Sequence, residues 1–133
     1  MSLDFFIVVP DEVYPTRENG RTVSYPAPGC GFHRQHVGNI THNMNVMAQN
    51  VPVSVGLTLY DVLWHPDEHG LKTTDDIVDY IAAGVLYMAK HAADLEQYNP
   101  SNGWGDYGLL LGFTRRVGSA CLFNPGCKIE VSC

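Results

Sequence analysis

Residues 4–9 read Asp4-Phe5-Phe6-Ile7-Val8-Val9, and residues 128–131 read Lys128-Ile129-Glu130-Val131. The first run is dense in aromatic and β-branched side chains, which suit a buried pleated surface, and Pro10 ends it. The second alternates charged and apolar residues, the period of a strand with one face covered. Strands at both ends with helical patterns between them predict an α+β domain. Its small antiparallel sheet is expected to combine an N-terminal hairpin with the C-terminal strand and to pack against about three to four helices. The hairpin partner is expected in Arg21–Tyr25, after the turn dipeptide Asn19-Gly20. Pro26, Pro28, Gly29 and Gly31 then read as an irregular loop outside any ladder, and His33–Ile40 as a further short strand.

Helical periodicity governs the middle of the chain. Met44, Met47, Ala48 and Val51 follow the capping types Thr41 and Asn43, and Pro52 stops that helix. Leu59, Val62 and Leu63 suggest one or two helical turns closed by Pro66. Thr73 or Thr74, followed by Asp75 and Asp76, opens a long helix with acids against its dipole. Ile77, Ile81, Val85, Met88, Ala92 and Leu95 carry it onward. A last helix is predicted from about Trp104 to Phe123, with Tyr107, Leu110, Leu111, Thr114, Val117 and Cys121 on one face. Its glycines (Gly105, Gly108, Gly112, Gly118) weaken a helix and imply close approach to another backbone.

A chain of 133 residues has room for a single domain, residues 1–133, around one core. Its net charge of −6 argues against non-specific nucleic-acid binding, which needs a basic surface to displace counterions. The longest apolar stretch, Ile81–Ala89, is about nine residues where a membrane span needs roughly twenty. The N-terminal run has no basic flank and reads as a strand rather than an export signal, so the expected compartment is the cytoplasm. There thiols stay reduced, although the even number of cysteines (Cys30, Cys121, Cys127, Cys133) also permits pairing.

Three segments carry side chains suited to chemistry. Cys30, His33 and His36 have the ligand types of a zinc site, and His42 follows, but a second ligand pair at finger spacing is missing. His65-Pro66-Asp67-Glu68-His69 only superficially resembles a metalloprotease helix, because Pro66 disrupts the helix that would present both imidazoles. Zinc is therefore the lesser reading, and surface-loop histidines the plainer one. Second, Asn39-Ile40-Thr41-His42-Asn43 gathers a hydroxyl, an imidazole and two carboxamides at a strand-to-helix junction. Such a junction offers free N–H groups to a ligand, or simply a helix cap. Third, Asn99 to Tyr107 sets Trp104 between Gly103 and Gly105, with Asn102, Asp106 and Tyr107 beside it. That loop suits stacking on a planar polar ligand, and equally suits a core anchor. Ser119 and Thr114 sit on the last helix, where hydroxyls bond back to carbonyls, and no nucleophile elbow or phosphate loop is present. Helix starts account for Asp67, Glu68, Asp75 and Asp76 without a paired-carboxylate site.

Asn39–Asn43 with Met47-Ala48, then Tyr60–Pro66, then Asn99–Tyr107 together resemble a family of small uncharacterised proteins of bacteriophages and prophage-bearing bacterial genomes. The resemblance covers residues 38–132 and its paired motifs are Asn-Ile-Thr-His-Asn and Asn-Pro-Ser-Asn-Gly-Trp-Gly-x-Tyr. It implies a phage-type accessory protein acting in the host cytoplasm, and it brings no activity that attaches to a residue.

The leading functional expectation is a non-enzymatic binder of a small polar ligand or a host protein, with no cofactor. Asn39, Thr41, His42, Asn43, Asn102, Trp104 and Tyr107 are its candidate contacts, provided the two helix starts lie at one end of the domain. The alternative is a small hydrolase or transferase with His42 as general base, oriented by Asp106 or Asn43. A third class is an acidic inhibitor of a host protein, although the acids are scattered rather than clustered.

Overall fold

Strand β1 (Ser2–Pro10) lies at the centre of a three-stranded antiparallel sheet, between β4 (Phe32–Thr41) and β7 (Lys128–Ser132). The computed structural model describes residues 2–27 and 29–133, with side chains at all of these except 13, 14, 23, 24 and 26. Burial alternates without exception along β1, so Leu3, Phe5, Ile7 and Val9 point into the core. Asp4, Phe6 and Val8 point to the other face, which no helix covers completely. On that outer face Asp4 pairs with His36, and Arg34 lies over the Phe6 ring and near Glu130. The register shifts between Phe5 and Phe6, whose partners are Gly38 and His36, so Val37 is the extra residue of a bulge.

The domain is α+β as its terminal strands predict, but the partner of β1 is not the segment 21–25. Arg21–Pro26 forms β3 and pairs with β2 (Val13–Glu18) in a separate two-stranded sheet. Asn19 and Gly20 at φ 51° and 77° make the turn between them. A two-residue turn fixes which strands become neighbours, and here the earlier neighbour is 13–18 rather than β1. Pro26 is the last residue of that ladder, where proline is tolerated, and Pro28 lies outside the described residues.

The helices pack against the inner face. Thr41 caps a 3₁₀ turn (His42–Met44) that leads into α1 (Asn45–Gln49), and Met44, Met47, Ala48 and Val51 are all buried. A small hairpin follows, β5 (Pro52–Ser54) and β6 (Leu57–Thr58), and was not anticipated. Helix α2 (Leu59–Trp64) starts on a Thr58–Asp61 capping box and ends just before Pro66 as expected, and Pro66 then opens a 3₁₀ turn. Helix α3 (Thr74–Lys90) ends at His91, and α4 (Ala92–Glu96) carries Leu95 into the core. No glycine or proline marks that break, and Ala92 and Leu95 keep the helical phase, so periodicity joins the two.

Helix α5 (Tyr107–Phe123) runs antiparallel to α3, with Leu110, Phe113, Thr114, Val117 and Cys121 buried. It starts three residues later than expected because Gly103 and Gly105 hold positive φ and Asp106 takes the N-cap. Gly118 makes a close approach, but to a side chain rather than to the expected backbone: a Cβ there would sit 3.1 Å from the Ile81 Cγ2. Gly112 has open space around it instead. All four cysteines are free, and burial pushes the Cys121 thiol up to about 12. No helix among the described residues is long and apolar enough to cross a membrane.

The start of α3 also clamps β7. Lys72 accepts from the Ile129 amide and Cys127 accepts from the Thr74 amide, while buried Thr74 donates to the Asn124 carbonyl. Asp76 closes the turn by accepting from the amides of Lys72 and Thr73 at 2.9 and 3.0 Å. These amides hold its carboxyl below the usual aspartate range. A depressed folded-state pKa contributes stability that is present above the ordinary aspartate value and is lost as pH falls through the folded value. Asp76→Asn should therefore lower stability at pH 7 and flatten its pH dependence below the ordinary aspartate value of about 4. Urea titrations across that acid range check it; equal acid limbs in both proteins would contradict the assignment.

Candidate functional site

The junction between β4 and α1 meets the loop before α5. The reason is Gly105: at φ 110°, its missing side chain lets the backbone lie against Met44 and Thr41. A Cβ at that position would come within 2.6 Å of the Met44 Sδ and 3.1 Å of the Thr41 Cγ2. Asn102 shapes the loop by accepting from the Trp104 amide at 3.0 Å, and Asn99 accepts from the Tyr107 amide at 2.8 Å. Asp106 caps α5 through the Leu109 amide. The contact leaves a cleft of about 540 Å³ lined by Asn39, Thr41, Trp104, Gly105, Leu109 and Arg116, among others. Its volume is in the range of small-molecule sites.

Trp104 stands 70% exposed at this cleft, an unusual position for the largest apolar side chain. Arg116 approaches from the exposed side of α5, its guanidinium packed over Gly38 of β4. Among the described residues it has no ion-pair partner, whereas Arg34 and Lys128 both pair with Glu130. Asn39 is exposed, and Thr41 is half-buried with its hydroxyl oxygen accepting from the Asn43 amide at 3.4 Å.

Of the seven expected contacts, Asn39, Thr41 and Trp104 line the cleft. Asn102 and Tyr107 serve the scaffold: the Tyr107 hydroxyl donates to the Met88 carbonyl at 2.6 Å, tying α5 to α3. His42 turns away to accept at Nδ1 from the indole of buried Trp64 at 3.0 Å, and Asn43 faces solvent. Against the Trp64 donor, neutral His42 carries its hydrogen on Nε2, which leaves no lone pair for a base. No carboxylate is in ion-pair reach of His42 among the described residues, and Asp106 is committed to its cap. The geometry therefore does not assemble the His42–Asp106 pair that general-base catalysis requires.

The candidate zinc ligands also separate. His33 bonds to Asp11 at 2.7 Å, His36 to Asp4 at 3.0 Å, and the Cys30 thiol donates to the Glu12 carbonyl. His33 lies opposite Val9 and His36 opposite Phe6, on different faces of the sheet. Among the described residues no group of three such side chains is placed to hold a metal. His65 bonds to Tyr60 and His69 lies near Asp61, so that pair diverges as well.

Protein families, curated proteins and solved structures were all compared with this chain, and none matches. The cleft thus has to be read from its own geometry. Arg116 is the residue that sequence reasoning missed. An arginine on the exposed side of a helix reads as a solvated charge, and only its place beside Gly38 and Trp104 distinguishes it.

Gly105 and Gly103 make a controlled comparison, since both have positive φ but only Gly105 touches a neighbour. Gly103→Ala should cost about 1–2 kcal/mol from backbone strain alone. Gly105→Ala should cost more, because it adds a clash with fully buried Met44 to strain of about 1–3 kcal/mol. Urea denaturation of both variants decides this; equal losses would mean the loop does not bear on Met44.

Proposed function

We propose that the protein is a non-enzymatic binding protein whose cleft holds a small planar ligand carrying an anionic group. One observation supports this reading above the others. A 70% exposed indole and an arginine that has no ion-pair partner among the described residues line the same cleft, beside the exposed carboxamide of Asn39. A flat aromatic face stacks on a planar ring, and a guanidinium offers two parallel donors to a carboxylate or phosphate. Asn39 adds a donor and an acceptor for a polar ring edge. A nucleoside monophosphate has all three features and suits a volume of about 540 Å³.

The acids of this chain favour ligand binding over imitation of a polyanion. Asp61, Asp76 and Asp106 close helix starts, while Asp4 and Asp11 pair with histidines. Along the sequence the acids are scattered rather than clustered, which gives the acidic-inhibitor reading no run of charge to rest on. The resemblance to small phage and prophage-associated proteins adds a setting, a bacterial host cytoplasm in which an accessory protein would hold such a metabolite.

Calorimetric titration with the four common ribonucleoside monophosphates, their nucleosides and benzoate tests the reading. At least one anionic probe should bind with Kd below about 1 mM. Arg116→Ala should weaken that binding by about tenfold or more, the range of a charge-assisted hydrogen bond, while leaving nucleoside binding unchanged. Trp104→Ala should weaken binding of both. Both residues are exposed, so thermal stability should hold. Failure of every anionic probe to bind, or binding indifferent to both substitutions, would overturn the proposal.

A further inference from the structure

A second concavity, about 690 Å³, lies between α3 and α5 and shares no lining residue with the ligand cleft. It exists because small residues floor it: Ala82 and Ala89 on α3, Gly118 and Ser119 on α5. Leu86 and Leu122 stand at its rim, 57% and 59% exposed. A contiguous exposed apolar surface of this kind is the usual mark of an interface rather than of a solvated face.

The charges at the groove identify the occupant. Asp79 and Arg115 both line it, and among the described residues neither is in an ion pair. Asp79 and Leu86 are seven residues apart on α3, and Arg115 and Leu122 are seven apart on α5, so each pair shares a helix face. The helices are antiparallel and cross where Ile81 meets Gly118. Asp79 precedes that level on α3 and Arg115 precedes it on α5, which sets the two charges at opposite ends of the groove. Leu122 then lies beside Asp79, and Leu86 beside Arg115. The charges occupy one diagonal of the groove and the leucines the other.

This arrangement is self-complementary. A twofold axis in the plane of the face, along the leucine diagonal, sets Leu86 and Leu122 each against its own copy. The same rotation carries Asp79 of one chain onto Arg115 of the other, twice. We infer that the α3–α5 groove is a homodimer interface, closed by two reciprocal Asp79–Arg115 ion pairs that flank leucines lying on the twofold axis. A different partner would need only one complementary charge pattern, whereas the diagonal pattern is the one that an identical copy satisfies twice.

Sedimentation equilibrium over about 1 μM to 1 mM chain reads the association constant directly. The wild-type chain should dimerise in that range, and Leu86→Glu should abolish dimerisation by setting two like charges against each other on the twofold axis. Asp79→Arg and Arg115→Asp should each raise the dissociation constant about tenfold or more, and the double exchange should return it to within about threefold of wild type. All three positions are on the exposed side of their helices, and thermal melts establish that each variant is folded. A wild-type chain that stays monomeric throughout would overturn the proposal and leave the groove to another partner. A dimer indifferent to Leu86→Glu, or single reversals not rescued by the double exchange, would overturn it equally.

Discussion

The central strand β1 has two hydrogen-bonding edges and one apolar face, and everything else in the fold answers to those three demands. Its backbone donors and acceptors need partners on both sides, because unpaired groups in a core cost as much as lost hydrogen bonds. One edge takes β4, from early in the chain, and the other takes β7, from its last residues. The chain ends are thereby brought together, and the intervening segments are obliged to cover Leu3, Phe5, Ile7 and Val9. Phe113, Val117 and Leu110 of α5 and Ile77 and Ile81 of α3 belong to the same buried cluster.

Two glycines lie where that packing borders the cleft. Phe113 and Arg116 of α5 lie against Gly38 on edge strand β4, where a Cβ would make ordinary contact at 3.6 Å. Gly105 lets the preceding loop press on Thr41 and Met44. Arg116 and Trp104 are consequently neighbours of the same strand end, although they lie on opposite sides of the α5 N-cap in sequence. Of the two, only Gly105 excludes a side chain, since a Cβ there would lie 2.6 Å from the Met44 Sδ.

Charge is distributed by the same logic. Asp61, Asp76 and Asp106 close helix starts and Asp4 meets an imidazole across the sheet, so part of the net charge of −6 serves capping and pairing. Arg115 and Arg116 are adjacent in the chain yet face different concavities, because successive helical residues point about 100° apart. One serves the proposed ligand and the other the proposed second copy. Neither role is visible without knowing which element lies beside each helix face.

The sequence by itself determined the elements whose cause is local. The strand character of 4–9 and 128–131, the start of α3 at Thr73 or Thr74 with its first-turn acids, and the apolar face of α5 follow from spacing within a few residues. Tertiary structure decided which strand β1 pairs with, and it inserted a self-contained hairpin where a sheet strand was expected. It also converted His42 from a candidate base into a partner of Trp64 and gave Arg116 a cleft. The division is physical. Propensity, capping and periodicity are set by neighbours along the chain, whereas pairing and site assembly depend on which distant surfaces exclude water together, and an exposed or polar side chain carries no record of its neighbour in space.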